Sequence, residues 1–307
     1  GGQLKKKCSY ADNQLHGMFE TWYASGLPET KYNIKYGKTH GLHKSWFSDG
    51  TLSIEYTMEE GVKQGLHREW YKCGQLEVQC TLKDGKRNGE YTRWHRNGRV
   101  WAKAIYSEGG VEGEYKKWFE NGQLKVKCSY INGKKEGKYQ QWHDNGNIDV
   151  ECFMKNNLKE GMYYQWHEDG TTKHSQVDHK LGLEEGAYIN WYPNGKMKSK
   201  NHYIKGVKNG SCTSWYHNGI MKISCTIING KKEGVYKAWF ENGKMRLKCN
   251  FVDGKKDSVS ESWFNDGQLS VRCHYKEGQK EGLYESWSPK GVLVAKRGYK
   301  EGIKQHE

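Results

Sequence analysis

A tryptophan that returns every 24 residues is the feature that most restricts what this chain can fold into. Of the eleven intervals between twelve such tryptophans, ten are 24 residues long and one is 25. A glycine lies five residues before each tryptophan, except at Ser258, and another lies four residues after each. A fixed period of this length indicates a repeat array in which every repeat is one supersecondary unit. The repeat core is predicted to contain Trp22, Trp46, Trp70, Trp94, Trp118, Trp142, Trp166, Trp191, Trp215, Trp239, Trp263 and Trp287.

The stretch from Gly122 to Gly133 shows what one repeat is. Its sequence after the first glycine is QLKVKCSY, so apolar residues alternate with polar ones. A period of two places the apolar side chains on one face of a β-strand. Asn132 and Gly133 can supply the two positive-φ positions of a tight hairpin turn, and a returning strand with Tyr139 and Trp142 follows. Each repeat is therefore predicted to be one β-hairpin.

The returning strand is predicted to be irregular in two places. Tyr139 and Trp142 differ in parity, so a β-bulge between them is the simplest way to bring both rings to one face. Gly137 lies inside this strand, where the lack of a side chain is expected to leave room for a neighbouring ring. The strand is expected to end at a second turn, formed by Asn145 and Gly146.

The unit G-x-Y-x-x-W-F-x-N-G-x-L…Y-x-N-G-K, clearest between Gly113 and Gly137, resembles the MORN repeat. It is similar to the variant form typical of a bacterial antitoxin-like family and of proteins encoded by large DNA viruses. The resemblance covers essentially the whole chain. It implies an all-β fold, an elongated single-sheet antiparallel β-hairpin repeat array of about 12 repeats of 24 residues. It also implies binding to proteins or membranes without catalysis, although MORN arrays occur in proteins of very different roles.

The array is expected to be a single continuous domain over residues 1–307, with an irregular joint around residues 171–185 that contains the 25-residue interval. Two registers of the joint are open. In that of the reference repeat, the inward positions hold Thr172, His174, Gln176 and Asp178. In the register shifted by one residue, Val177 faces inward with Lys173 and Ser175 beside it. Both registers predict weak apolar burial, so the joint is expected to be the least stable interior part of the array.

The joint has two interpretations. It is either a tolerated change of sequence or a hinge or docking point that uses His174, His179 and His202. The chain ends raise a related expectation, because Gly2 and Leu4 are already in register with the reference repeat. We expect the chain to be a piece of something longer, with its open strand edges covered by more chain or by end-to-end or lateral self-association.

Seven of the nine cysteines are predicted to share one inward position of the outgoing strand. Equivalent positions in successive repeats are two strands apart, roughly 9 to 10 Å, which exceeds the roughly 7 Å limit for a disulfide. They are Cys8, Cys80, Cys128, Cys152, Cys225, Cys249 and Cys273. We interpret them as core residues of an intracellular protein in a reducing compartment, the cytoplasm. The resemblance to proteins of large DNA viruses implies a second location, as a component of a virus particle. Cys73 replaces the Asn of a turn and is expected to be exposed, whereas Cys212 replaces the usual Tyr.

The composition predicts a thin core and a basic surface, since hydrophobic residues are 35%, charged residues 28% and the net charge is +14. Lysines recur on the polar side of the outgoing strand and at the hairpin tips. The candidate contact residues among them are Lys125, Lys127, Lys134, Lys135, Lys231 and Lys232. They form either a solvated face that prevents aggregation or a basic stripe that meets an acidic protein or anionic lipid, with nucleic acid disfavoured.

Enzymatic activity is not predicted. The sequence contains no G-x-S-x-G, H-E-x-x-H or Walker-type motif, no zinc-ligand spacing and no cofactor motif. The leading hypothesis is a structural scaffold that holds an extended segment or an amphipathic helix of another protein in a groove lined by Tyr and Trp. The alternatives are peripheral binding to anionic membrane lipid and antitoxin-like neutralisation of a protein partner. Trp101, the tryptophan outside the period, is either an exposed contact or a cover for neighbouring Lys stems.

Overall fold

The computed structural model describes residues 4–305, so the expected position of Gly2 inside a repeat lies outside the described residues. Every helix or strand in this range is a β-strand. Twenty-six strands form one antiparallel sheet, and two short ones form a separate hairpin. The prediction of an all-β, single-sheet array of antiparallel hairpins is confirmed.

The chain divides into two compact units, residues 1–148 with 154–157 and residues 149–153 with 158–307. In the first unit the strands are β1 (Lys6–Lys7), β2 (Tyr10–Ala11), β3 (Gln14–Leu15), β4 (Gly17–Trp22), β5 (Pro28–Lys35), β6 (Lys38–Trp46), β7 (Leu52–Glu59), β8 (Val62–Trp70), β9 (Leu76–Lys83), β10 (Lys86–Trp94), β11 (Val100–Ser107), β12 (Gly110–Trp118), β13 (Leu124–Ile131) and β14 (Lys134–Trp142). The next strand, β15 (Ile148–Lys155), has residues in each unit.

In the second unit the strands are β16 (Leu158–Trp166), β17 (Lys173–Lys180), β18 (Leu183–Trp191), β19 (Met197–Ile204), β20 (Val207–Trp215), β21 (Met221–Ile228), β22 (Lys231–Trp239), β23 (Met245–Val252), β24 (Lys255–Trp263), β25 (Leu269–Lys276), β26 (Gln279–Trp287), β27 (Leu293–Lys300) and β28 (Ile303–Lys304). Consecutive strands pair antiparallel, as β20 does with β21 and β21 with β22. Each repeat is thus a returning strand that ends at the tryptophan, followed by an outgoing strand.

Two kinds of turn alternate along the sheet. In the hairpin turn, Asn132 has φ 51° and Gly133 has φ 72°, which are the two positive values that the sequence predicts. In the turn after the tryptophan, Phe119 N donates to Gln123 O at 2.9 Å, and only Gly122 takes a positive φ, of 91°. The second turn is therefore a wider loop with a single left-handed residue.

The glycine inside the returning strand is needed for its backbone conformation. Gly137 has φ 78°, and the pairing of β13 with β14 shifts register across this position. A Cβ built there would meet nothing within 4 Å. The expectation that Gly137 leaves room for a neighbouring ring is therefore wrong, because no ring lies close to the position that a Cβ would occupy. Ser258, which replaces this glycine in one repeat, adopts the same left-handed conformation with φ 65°.

The predicted bulge between the Tyr and the Trp is present. In the pairing of β12 with β13 the register shifts between Lys117 and Trp118. Tyr115 lies opposite Cys128, whereas Trp118 lies opposite Leu124, which has the same parity as the cysteine. Both rings therefore lie on one side of the sheet, called here the cysteine face and defined in this repeat by Tyr115, Cys128 and Tyr130. The other side, with Glu114, Lys116 and Lys127, is called the charged face.

The most deeply buried column of the cysteine face is formed by cysteines and not by tryptophans. All twelve repeat tryptophans, which the sequence predicts to lie in the repeat core, are only half-buried. In contrast, Cys80, Cys128, Cys152, Cys225, Cys249 and Cys273 are buried, Cys8 is half-buried, and Cys73 is exposed as expected. The small thiol fits the middle of the strand between flanking tyrosines, while each tryptophan lies at a strand end where solvent reaches the ring.

The 25-residue interval adds its extra residue to a turn and not to a strand. His167 N donates to Thr172 O at 2.9 Å, five residues on, whereas Phe119 N donates to Gln123 O, four residues on. Asp169 holds the longer turn, because its Oδ1 accepts from Thr172 N at 2.8 Å. Strands β17 and β18 then pair in the usual way.

The joint therefore takes the later of the two registers. Val177 lies opposite Tyr163 in the position of the cysteines, and His179 lies opposite Gly161. Ser175, Val177 and His179 are 0%, 2% and 6% exposed. Apolar content is low, as both registers predict, because Val177 is the apolar one of the three, but the extra turn residue returns small side chains to the inward positions and shields them from solvent.

Candidate interaction surface

A column of cations lies over aromatic rings on the cysteine face. The two-residue turn places the second residue of each returning strand opposite the last inward residue of the outgoing strand, as Lys135 lies opposite Tyr130. In eight repeats this residue is a cation, and its charged group lies 4.0 to 5.9 Å from the centroid of a tyrosine ring. This cation column consists of Lys63, Arg87 and Lys135 in the first unit and Lys159, Lys208, Lys232, Lys256 and Lys280 in the second.

The two faces differ in how their charges are compensated. On the charged face, cross-strand ion pairs join Lys31 to Glu20 at 2.9 Å and Arg272 to Glu261 at 2.9 Å. Lys127 similarly lies 3.2 Å from the Glu114 carboxylate. Among the described residues, none of the eight members of the cation column has a carboxylate partner. All eight are at least partly exposed, so the positive charge of the cysteine face is available to a ligand.

Three tyrosines of the cysteine face have pKa values above that of a free phenol. Burial, followed by the neighbouring Cys128 and Tyr115, raises the pKa of Tyr130 to about 12. Burial also raises the pKa of Tyr236 and that of Tyr275. The face therefore combines apolar rings with permanent positive charge, which favours contact with groups that are both apolar and acidic.

The structure divides the six lysines predicted as contact residues. Only Lys135 and Lys232 belong to the cation column. The contacts of the others are different: Lys125 Nζ lies 4.7 Å from the Phe119 ring, Lys127 pairs with Glu114, Lys231 Nζ lies 2.7 Å from Asp253 Oδ1, and Lys134 is exposed at a hairpin tip.

The hairpin tips also carry acidic groups. The Glu at the third position of a returning strand accepts from a backbone N–H of the next tip, as Glu112 Oε2 does from Asn132 N and Glu233 Oε2 from Asp253 N, both at 2.8 Å. With ion pairs such as Lys231 to Asp253, these carboxylates reduce the positive charge of the tips. The tips are consequently less basic than their lysine count indicates.

Trp101 covers two cations. Its half-buried ring lies 4.6 Å from the Arg93 guanidinium carbon and 4.4 Å from Lys117 Nζ. This arrangement agrees with the second interpretation of the residue, a ring that packs on cationic side chains. A role of Trp101 in contacting a partner stays a prediction.

The three predicted histidines do not form one cluster. His179 is buried on the cysteine face, 5.8 Å from the Tyr163 ring centroid, whereas His202 is exposed and its Nδ1 lies 2.9 Å from Asn209 O. His174 packs edge-on against His167 at 4.9 Å. Burial, followed by the charge of His167, lowers the pKa of His174, and burial lowers that of His179. A docking role of these residues stays a prediction, and it would involve separate places on the sheet.

A stack of aromatic rings in the first unit was not predicted from the sequence. Here tyrosines occupy the cysteine position and the rings opposite them are Phe or His, so that consecutive centroids lie 4.5 to 5.8 Å apart at interplanar angles of 10° to 22°. The stacked residues are Phe19, Tyr32, His43, Tyr56 and His67. Burial, followed by the charge of Lys63, lowers the pKa of His43. The alternation of faces along each strand places all five rings on one side of the sheet, and this alternation can be seen in the sequence.

Among residues 4–305, no group of three or more His, Cys, Asp or Glu side chains is arranged to hold a metal ion. A search of the same residues for a helix long and apolar enough to cross a membrane finds none.

Comparison with known proteins identifies the repeat. The model of a family described as "MORN repeat variant" matches residues 111–132, 135–156, 184–205 and 232–253. Each match contains a returning strand, the turn after the tryptophan and the outgoing strand. A search of curated proteins finds no significant match.

Some solved structures share weak similarity with the chain. "Crystal Structure of TcdB2-TccC3" is 10% identical with a TM-score of 0.19, and the match covers 95% of this chain and 19% of that chain. The "Structure of Photorhabdus luminescens Tc holotoxin pore" is also 10% identical with a TM-score of 0.19, covering 95% and 18%. This chain therefore spans less than a fifth of the length of either.

Proposed function

The four matched segments make this chain a MORN repeat protein, and we propose that it is a non-enzymatic scaffold that binds an acidic segment of a protein partner along the cation column. The observation that carries the proposal is the uncompensated charge of that column beside tyrosine rings. An ammonium group above a ring face can still donate hydrogen bonds to a carboxylate, and tyrosines are favoured anchors of interfaces.

The spacing of the column favours a linear partner. Lys208, Lys232, Lys256 and Lys280 belong to four successive repeats. Equivalent positions are two strands apart, roughly 9 to 10 Å. A carboxylate on every third residue of a segment in the polyproline II conformation would recur on one face at about 9.3 Å, and one on every seventh residue of a helix at about 10.5 Å. Either segment would place one acidic group beside each lysine.

Anionic lipid is the second candidate, because phosphate groups would also meet these cations. A membrane surface would contact the hairpin tips together with the column, and the tip carboxylates disfavour that contact. Antitoxin-like neutralisation would be a special case of protein binding in which the acidic segment belongs to a toxin. An acidic protein segment is therefore the favoured ligand of the column.

The test compares two triple variants of equal charge. Lys232→Gln, Lys256→Gln and Lys280→Gln together remove three of the eight cations of the column, while Lys200→Gln, Lys237→Gln and Lys248→Gln remove three lysines from the charged face. The probe is a dye-labelled peptide with Glu at every third position, and its binding is measured by fluorescence anisotropy at low salt. We expect the column variant to bind about tenfold more weakly and the control to bind nearly as the original chain does.

Two further probes complete the experiment. The same peptide with Gln in place of Glu should not bind, because the carboxylates are the groups recognised. Phosphatidylserine vesicles, assayed by co-sedimentation, distinguish the lipid candidate. Equal losses in the two triple variants, or binding of the vesicles but not of the acidic peptide, would overturn the proposal.

A further inference from the structure

One pair of cysteines lies within disulfide reach. Cys212 of β20 is directly opposite Cys225 of β21 in the antiparallel pairing. Residues in this relation have Cα atoms roughly 4.5 to 5.5 Å apart, inside the roughly 4.4 to 6.8 Å that a disulfide needs. By contrast, Cys225 and Cys249 are two strands apart. In other repeats the residue opposite a column cysteine carries no thiol, as Tyr236 is opposite Cys249 and Ser260 is opposite Cys273.

The substitution of a tyrosine by Cys212 also opens the space above Cys225. Cys212 is half-buried and Cys225 is 7% exposed. The Cys212 Sγ lies 2.6 Å from Asn201 Oδ1, and rotation of this amide by a half-turn would present Nδ2 to a thiolate. Asn201 itself replaces the cysteine or valine of the neighbouring strand, so a polar side chain flanks the pair.

The electrostatic surroundings favour a thiolate at Cys212. A hydrogen bond from the Cys225 thiol is the largest effect, and together with Lys208 and Lys232 it lowers the pKa of Cys212 to about 6, against the opposing effect of burial. The same hydrogen bond and burial raise the pKa of Cys225. Tyr236 is the other titratable group that faces this pair. The Cys212 thiolate is thus suited to attack a disulfide first, and the Cys225 thiol is suited to attack the resulting mixed disulfide.

We propose that Cys212 and Cys225 are a redox-active dithiol that reacts with small-molecule disulfides to form one intrachain disulfide across the hairpin of β20 and β21. The Cys212 thiolate attacks one sulfur of the small disulfide, forming a mixed disulfide and releasing one thiolate. The Cys225 thiol loses its proton to solvent and attacks the Cys212 sulfur, releasing the second thiolate. Two protein thiols are oxidised and one small disulfide is reduced to two thiols.

The experiment uses the full chain and glutathione disulfide as the probe. The reduced chain is freed of reductant, incubated with the probe, quenched with acid, alkylated and digested with trypsin. Cleavage after Lys208, Lys222 and Lys231 separates the two cysteines into peptides 209–222 and 223–231. We expect these two peptides to be joined by a disulfide, with the other seven cysteines still alkylated. Joined peptides of any other pair, or full alkylation of Cys212 and Cys225, would overturn the proposal.

Three variants test the roles of the two thiols. Cys225→Ala should stop the reaction at a glutathione adduct on Cys212, whereas Cys212→Tyr, which restores the usual residue, should abolish both adduct and cross-link. Tyr236→Cys places a thiol opposite Cys249 in the same register and should create a second cross-link. A cross-link to Cys225 that persists in Cys212→Tyr, or an adduct on Cys225 in preference to Cys212, would contradict the assigned order of attack.

Discussion

At the scale of single residues, the glycine before each tryptophan sets a backbone conformation. We expect Gly137→Ala to lower the free energy of unfolding by about 1 to 2 kcal/mol, because φ 78° is unfavourable for a residue with a Cβ although space is available. Gly137→Asn should cost less, since Asn tolerates this conformation. Urea unfolding followed by tryptophan fluorescence measures both. An equal loss for the two substitutions would show that the side chain and not the backbone is responsible.

His179 should make stability depend on pH. Burial lowers its pKa, so the folded chain keeps the ring neutral at pH values where the unfolded chain, with a pKa of about 6.5, becomes protonated. The stability is fully present above this pH and is lost as the pH falls toward the folded pKa. His179→Tyr, which installs the residue found at Tyr130, should flatten the loss between neutral and mildly acidic pH in urea titrations. An unchanged slope would contradict this assignment.

At the scale of the strand and turn, the sequence predicted the hairpins well but not the joint. Asn132 and Gly133 encode the positive φ values directly, whereas Leu181 adopts φ 53° at the equivalent position only because the flanking strands impose it. The register of β17 depended on where the extra residue lies. Its place in the turn depends on the hydrogen bond from Thr172 N to Asp169, which alternation along a strand cannot reveal.

Hydrogen exchange should find β17 as protected as other interior strands. The inward positions of this strand are filled by Ser175, Val177 and His179, all buried, and its ladder to β16 is regular up to the bulge before Trp166. We expect slow exchange at Ser175 and Val177 and fast exchange in the longer turn that contains Thr171. Exchange of β17 that is faster than that of every other interior strand would restore the weak-joint interpretation.

At the scale of the whole molecule, alternation and the hairpin turn were sufficient to predict which residues share a face. The register of a two-residue turn even fixes that Lys135 lies opposite Tyr130. The state of each charge was not predictable, because an ion pair such as that of Lys31 with Glu20 depends on cross-strand distance and rotamer. The candidate surface is therefore identified by cations that lack a carboxylate partner in the structure, and the number of lysines in the sequence does not identify it.

The cysteine column offers a test that extends over both units. Burial is the main cause that raises the pKa of Cys80, Cys128, Cys249 and Cys273, which lowers their thiolate fraction in addition to shielding them. We expect iodoacetamide to modify the exposed Cys73 rapidly and these four only after urea is added, as read by mass spectrometry of the digested chain. Because each repeat contacts mainly its neighbours, the urea concentration at which each cysteine becomes reactive should report the local stability of its own repeat. Modification of the four at the rate of Cys73 in the absence of urea would show that the thiols are not in a buried column.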